Sequence, residues 1–215
     1  MLQARAPEVD TKTEMFKTIN GQRDAGDAIG SRDGLYLLLK ILSERNPGVL
    51  DDLNRVARLA VATAEELGLD AQDVERVELA ARLHDVGMIA IPDAIMNKPG
   101  GLIDAEWTIM RTHPEVGQRI LAAAPALAPA ARLVRFHHER YDGRGYPDGL
   151  KGKDIPIGAR IIAVSAAFVA MMRNRPFSDA ITVEEALAEI DSCSGSQFDP
   201  HVAEVFCGLV RLASG

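Results

Sequence analysis

The segment IIAVSAAFVAMM, residues 161–172, decides the fold class because it is apolar throughout and carries no charge. A membrane-spanning helix needs about 20 apolar residues, so twelve are too few to cross a bilayer. We therefore interpret this segment as a helix buried inside a water-exposed domain. The surrounding sequence must then supply the helices that cover it.

Apolar residues recur at helical spacing on both sides of this segment, and no stretch alternates as a strand would. Gly, Pro and Asp clusters separate the periodic stretches. The sequence predicts an all-α fold, a compact bundle of about seven to nine helices. One predicted helix begins at Leu35, and a last one ends near Leu212. Between them the predicted helices cover 49–67, 71–86, 104–111, 113–124, 130–139, 158–173 and 183–191.

The amino-acid composition argues against several classes of protein. Of 215 residues, 47% are hydrophobic and 26% charged, which is ordinary for a folded domain. The net charge of −7 excludes a basic wrapper of nucleic acid, and we expect no DNA partner. The chain has two cysteines without C-x-x-C spacing, which argues against a disulfide scaffold and against a zinc knuckle. We expect a cytoplasmic protein without a membrane span, made of a leader or linker over 1–31 and one domain over 32–215.

Four of the five histidines fall at predicted helix ends, where side chains from different helices can converge. His84 lies beside Asp85, and His113, His137 and His138 lie at other helix ends. Adjacent helical residues diverge by about 100°, so the last pair could hold two ions or straddle one. Imidazole with carboxylate suits Fe, Mn, Zn or Ni, and a bridging carboxylate can hold two metals that activate water.

A basic stretch covers residues 132–178, which contain nine Lys and Arg but only four Asp and Glu. Such a concentration of charge in an acidic chain is typical of a rim that attracts a phosphodiester. The alternative is an ordinary solvated surface. Arg144 and Arg175 are the candidate phosphate contacts.

Six segments, in this order and with these gaps, resemble the HD-GYP family over about residues 35–212. The most specific is HHERYDGRGYPDGL at 137–150. The others are HDVG at 84–87, IPDAIMNKPGGL at 91–102, HPEVG at 113–117, IPIGARIIAV at 155–164 and FDP at 198–200.

The resemblance implies an all-α domain with a centre of two or three divalent metals, often Fe or Mn, that hydrolyses cyclic di-GMP. His84 and Asp85 match the HD pair, with catalytic roles and with Asp85 bridging. His113, His137 and His138 match the other histidine ligands. Tyr146 belongs to the GYP signature, implied to shape the substrate site and to contact a diguanylate cyclase or another signalling protein. Signalling domains often form dimers, and a homodimer is a further partner to be tested.

This chain departs from the family pattern on one side of the expected centre. Asp52 replaces a ligand histidine, and it is either a shorter ligand or an ordinary carboxylate at a helix N-terminus. Met88 replaces a lysine, and Ala166 and Val169 replace aspartates of the buried helix. In the later run RPFS, Arg175 is retained while Ser178 replaces a basic residue.

We therefore predict one well-held ion, Fe or Mn with Zn or Ni as alternatives, and a second site that is weak or empty. Three functions stay open. The domain is a divergent phosphodiesterase with weak or lost turnover, or a silent cyclic di-GMP sensor or docking module. A nucleotidase of the broader HD group is a third reading, which the GYP string disfavours.

Overall fold

The computed structural model describes residues 25–46, 48–173 and 180–214, and only the backbone of 25–33 and 35. Within these ranges it contains nine α-helices of at least seven residues, a four-residue helix and no strand, which confirms the predicted all-α class. The helices are α1 (Ala25–Arg45), α2 (Val49–Glu66), α3 (Ala71–Leu83), α4 (Asp93–Met96), α5 (Asp104–Met110), α6 (His113–Ala122), α7 (Ala128–Phe136), α8 (Ile157–Met171), α9 (Val183–Ser192) and α10 (Pro200–Ser214). Two short 3₁₀-helices, Val86–Ala90 and Gly152–Asp154, complete the described structure.

Helix α8 is the buried helix that the uncharged segment predicts. Ile161, Ile162 and Val164 are fully buried in it, and its neighbours α2, α3 and α10 pack around it. Phe168 of α8 meets Phe206 of α10 edge to face, with ring centroids 5.4 Å apart. Burial of these side chains is the main source of the domain's stability, at about 25 cal/mol per Å² of apolar surface.

Several helix ends follow from local sequence. Asp70 caps α3 by accepting a hydrogen bond from the backbone N–H of Asp73. Thr182 and Glu185 form the predicted capping box at the start of α9, each side chain accepting from the other's backbone N–H. At α5 the expected cap, Asp104, is the first helical residue, and the Glu106 carboxylate instead accepts from the backbone N–H of Ile103.

Other boundaries differ from the sequence prediction, and these differences position the histidines. Helix α1 begins at Ala25, ten residues before Leu35 and inside the predicted leader. Helix α3 ends at Leu83, so His84 and Asp85 lie in the turn before the first 3₁₀-helix. His137 ends α7 as its C-cap, two residues before the predicted end.

The first 3₁₀-helix is held by the side chain of Arg45. Its guanidinium donates to the carbonyl oxygens of Met88 (3.0 Å), Ile89 (2.7 Å) and Ile91 (2.5 Å), and to the Asp93 carboxylate. Arg45 thus joins the end of α1 to the segment that follows Asp85. In the described part of the chain no helix has the length and apolarity needed to cross a bilayer.

Candidate metal centre

Side chains from three helix ends converge on Asp85. One donor atom from each of Asp85, His113, His137 and His138 lies within 4.8 Å of every other. His113 Nε2 is 3.6 Å and His137 Nε2 is 4.0 Å from Asp85 Oδ1, and the two Nε2 atoms are 3.5 Å apart. The structure thus brings together residues that are 53 positions apart in the chain. His137 and His138 face one cluster, with ring centroids 4.2 Å apart, rather than two separate ones.

Each of three histidine rings is oriented by a hydrogen bond from Nδ1 to the carbonyl oxygen three residues earlier. His84 bonds to Ala81 (2.8 Å), His113 to Met110 (2.8 Å) and His137 to Val134 (2.6 Å). An imidazole that donates from Nδ1 presents Nε2 as an acceptor, and protein metal sites fix their histidine ligands in this way. The rings are therefore pre-oriented for a cation.

His84 approaches the second oxygen of Asp85. Its Nε2 is 3.4 Å from Asp85 Oδ2, whereas His113 and His137 approach Oδ1. The His84 ring also contacts the His137 ring, with centroids 5.2 Å apart, so both carboxylate oxygens face imidazoles of one cluster. The Asp85 side chain is 36% exposed, so one edge of the centre is open.

The electrostatics favour neutral imidazoles around an ionised carboxylate. Burial lowers the pKa of His113 and, with the neighbouring histidines, holds the pKa of His137 well below its usual range. Burial also lowers the pKa of His138 to about 3. Burial opposes ionisation of Asp85, but the surrounding histidines outweigh it and hold its pKa well below the ordinary value.

His84 behaves differently. Burial opposes its protonation, but the charge of Asp85 and its hydrogen bond outweigh burial, so the pKa of His84 is raised. Metal ligands must be deprotonated, and three of the four rings are therefore in the ligand form at neutral pH.

Glycine allows the backbone of the first 3₁₀-helix to touch α6. A Cβ on Gly87 would lie 1.9 Å from the carbonyl oxygen of His113. Gly145 plays the same part in the RGYP loop, where a Cβ would lie 2.3 Å from Arg140 N and 2.5 Å from Glu139 Cα. Both motifs need glycine because two backbone segments meet there.

The loop after His138 folds back over the centre. Glu139, only 4% exposed, accepts hydrogen bonds from the backbone N–H groups of Asp148 (2.7 Å) and Gly149 (3.0 Å). Tyr146 N–H donates to the His138 carbonyl (3.2 Å), and the Tyr146 ring stacks on the His138 imidazole at 4.8 Å and 16°. The predicted substrate-binding Tyr146 thus covers a candidate ligand.

A cleft opens beside Asp85, and Met88, one of the positions that depart from the family pattern, lines it. Its wall is formed by Leu42, Arg45, Asn46, Val49, Asp85, Met88 and Met96. The Met88 side chain brings no charge to this wall. Asp52 ion-pairs with Arg173, whose Nη1 lies 2.6 Å from Oδ2 and whose Nη2 donates to Asn46 Oδ1.

Ala166 and Val169 offer no ligand atom on the neighbouring helix. Val169 is 2% exposed and belongs to the apolar core, and Ala166 packs against that core. Ser165 lies next to them, and its hydroxyl donates to the carbonyl of Ile161 within the same helix (2.9 Å).

The basic stretch is partly neutralised within the fold. Arg135 pairs with Glu115 and Asp148, and Arg140 pairs with Asp142. Arg160 and Arg173 pair with acids outside the stretch. Among the described residues of this stretch, the cations that form no ion pair within 4.0 Å are Arg132, Arg144, Lys151 and Lys153. Arg175 lies outside the described residues.

Sequence reasoning missed the contacts of four side chains around the centre. Arg45 gave no signal because its partners are 43 to 48 positions away. The motif HHER contains Glu139, but the sequence does not reveal the contacts of this carboxylate with the loop. Trp107 and Arg111, four residues apart and so on one helical face, could have been paired from their spacing.

The donor set fits a divalent metal. Three imidazoles and one carboxylate are borderline ligands of the kind that Fe, Mn, Zn and Ni accept, and no thiolate lies among them. The cluster also faces the open edge at Asp85, which leaves room for a substrate. Fold and site together define an all-α domain of the HD type whose His/Asp cluster could hold a metal ion.

Comparison with known proteins supports the assignment to the HD type. The family model described as HD domain matches residues 36–202, so the chain belongs to the HD domain family, and the resemblance seen in the sequence is confirmed. It is 41% identical over 195 residues to the cyclic di-GMP phosphodiesterase response regulator RpfG of Xanthomonas campestris, covering 85% of this chain and 52% of the relative. It is 43% identical over 177 residues to a cyclic di-GMP phosphodiesterase of Thermotoga maritima, covering 81% of this chain and 48% of the relative.

The chain therefore spans about half the length of these relatives. Among solved structures, an HDG"Y"P protein, Bd1817 of Bdellovibrio bacteriovorus, has a similar fold. It superposes with a TM-score of 0.62 at 19% identity, over 76% of this chain and 52% of that one.

Proposed function

We propose that the chain is a metal-dependent phosphohydrolase domain of cyclic di-GMP signalling that holds one ion well and has weak or lost phosphodiesterase activity. The observation that carries the proposal is the convergence of Asp85, His113, His137 and His138, with the rings of His113 and His137 already oriented by hydrogen bonds. Relatives named cyclic di-GMP phosphodiesterase support the substrate.

The proposed ligands are His84, Asp85, His113, His137 and His138, and His84 lies against Oδ2 of the Asp85 carboxylate. A divalent ion bound there would supply a Lewis acid for phosphoryl oxygens. Fe or Mn is the expected metal, and Zn and Ni are the alternatives. The proposed catalytic residues of the chain are Asp85 and His84.

Asp85 would hold its negative charge at neutral pH, since the histidines around it lower its pKa despite burial. The charge of Asp85 and its hydrogen bond raise the pKa of His84 despite burial, so in the absence of metal the ion pair between His84 Nε2 and Asp85 Oδ2 is favoured.

Weak or lost turnover follows from the cleft on the Met88 side. A second ion would need anionic or imidazole ligands, but Asp85 is the one acid among the described residues that line this cleft. Asp52 is already paired with Arg173, and Ala166 and Val169 have no donor atoms. A two-metal clamp then reduces to a single Lewis acid. Loss of one electrostatic stabiliser costs about 10²–10³ in rate, and here more than one is missing.

The lack of ligands for a second ion also favours a second candidate function, a catalytically silent cyclic di-GMP sensor or docking module. Ligand binding would use the intact half of the centre, with Tyr146, Arg144 and, from the resemblance, Arg175 as contacts. In that case the loop carrying Tyr146 would contact a diguanylate cyclase or another signalling protein. A homodimer and a cytoplasmic location complete the proposal.

Incubation of metal-loaded protein with cyclic di-GMP, followed by chromatography of the products, tests the enzyme. We expect cleavage far slower than that of a relative with an intact centre, and turnover equal to the relative would overturn the reduced-site proposal. Calorimetric titration with the same ligand separates the alternatives. Binding without cleavage identifies a sensor, and the absence of binding leaves only docking.

A further inference from the structure

A continuous series of ring contacts leads from the metal centre to the protein surface. Tyr146 stacks on His138, and the Arg111 guanidinium carbon lies 5.6 Å from the centre of the Tyr146 ring. The same carbon lies 5.7 Å from the centre of the Trp107 ring. One cation therefore contacts both aromatic rings, at distances where cation–π attraction acts.

The outer end of this series is exposed. Trp107 is 42% exposed, and the apolar side chains of Ile103 and Ile109 beside it in sequence are 61% and 41% exposed. Three of the seven exposed large apolar residues of the described structure thus fall within 103–109. Isolated exposed apolar residues are ordinary, but Ile103 lies four positions before Trp107 and so on the same side of α5, which gives the exposed indole an apolar neighbour.

We propose that Trp107 and Arg111 form a stacking subsite for a purine base of the phosphodiester ligand. The inference rests on the proposed function, because the ligand must place its phosphate at the centre. Arg111 holds the indole next to the loop that covers the centre, and the exposed indole stacks on the base. The open edge at Asp85 admits the phosphate.

The chemistry of the patch selects a base rather than a second phosphate. Phosphate recognition needs convergent N–H donors, but the Arg111 guanidinium here lies against the Trp107 and Tyr146 rings. Trp107 offers a broad π-face and Ile103 offers apolar contact. A nucleobase has both a π-face and apolar edges, and aromatic side chains stack on it without selecting one purine. The subsite would therefore accept guanine and adenine alike, and specificity between them must come from other contacts.

The chain carries its own reporter of this contact, because Trp107 is its only tryptophan. A base stacked on the indole changes its emission, while a phosphate bound at the centre alone leaves it unchanged. We therefore compare cyclic di-GMP with inorganic phosphate, both titrated into the metal-loaded full chain. Fluorescence and calorimetry are recorded on the same samples.

Trp107→Leu keeps apolar bulk but removes the stacking face, and Trp107→Phe retains a smaller one. We expect the first to weaken cyclic di-GMP binding about tenfold and the second by less than about threefold, as loss of one stacked base would. Phosphate affinity stays unchanged in both. Tyr36→Leu is the matched control, since Tyr36 is an aromatic of similar exposure (44%) on α1 and its loss should change nothing.

Two results together would overturn the subsite and leave the proposed function standing. Cyclic di-GMP would bind the wild type without changing its emission, and it would bind Trp107→Leu with the same affinity. Failure of the wild-type protein to bind cyclic di-GMP at all would overturn both. Circular dichroism of Trp107→Leu, expected to match the wild type, excludes misfolding as the reason for weaker binding.

Discussion

Replacing Gly87 with alanine tests how the backbone sets the centre. The new Cβ would lie 1.9 Å from the His113 carbonyl oxygen and 2.7 Å from Gly117 N, both backbone atoms that no rotamer change can move. Ordinary contact begins at 3.4 Å, so the 3₁₀-helix and α6 must separate by about 1.5 Å. Metal–ligand distances tolerate only about 0.2 Å, and His113 would leave ligand range.

Two effects are expected of Gly87→Ala. Overpacking of a buried contact costs about 3 kcal/mol, the upper end of its usual range, because both partners are backbone. For a domain of this size that lowers Tm by about 6–12 °C. Metal affinity falls as well, because one of the four convergent donors is displaced.

Thermal unfolding followed by circular dichroism, and calorimetric titration with Mn²⁺, measure the two effects. Gly208→Ala in α10 is the matched control, since a Cβ there meets nothing within 4 Å. In a helix interior this change is expected to stabilise by about 0.5–1 kcal/mol. A Gly87→Ala protein with wild-type Tm and wild-type Mn²⁺ affinity would refute the close-contact reasoning.

Further predictions concern single residues and pH. His137→Ala is expected to abolish metal binding, measured by elemental analysis, because the ring lies at the middle of the cluster; retained metal would remove it from the ligand set. Asp52→Ala should leave metal content unchanged, because the carboxylate already pairs with an arginine; loss of the ion would identify Asp52 as a ligand. Arg45→Met should lower the free energy of unfolding by about 2 kcal/mol in urea titrations, as it removes charge-assisted bonds to the 3₁₀-helix; an unchanged midpoint would contradict this. Metal-free protein should lose stability as pH falls from 6.5 towards 3, because unfolding lets His137 and His138 take up protons that burial excludes. Protonation of His84, whose pKa is raised, opposes this loss of stability only in part. Urea midpoints that do not decrease as the pH is lowered from 7 to 5 would contradict the prediction.

The sequence was informative wherever the signal is local. The uncharged run became α8, Thr182 with Glu185 became a capping box, and four histidines at helix ends came together. Helical periodicity and capping depend on residues three or four positions apart, so they can be read from one chain.

Long-range contacts could not be read in this way. Arg45 joins α1 to carbonyls more than 40 residues away, and Arg111 reaches Tyr146 across 35. The pairing of Asp52 with Arg173 spans 121 positions. No pattern in a single sequence specifies such partners, because tertiary packing chooses them.

Metal content per chain, determined on anaerobically purified protein with the identity of the element, tests the account most directly. One equivalent of Fe or Mn, lost in His137→Ala and kept in Asp52→Ala, is the expected result. Two or three tightly bound equivalents would show that the Met88 side of the centre is functional and would contradict the account.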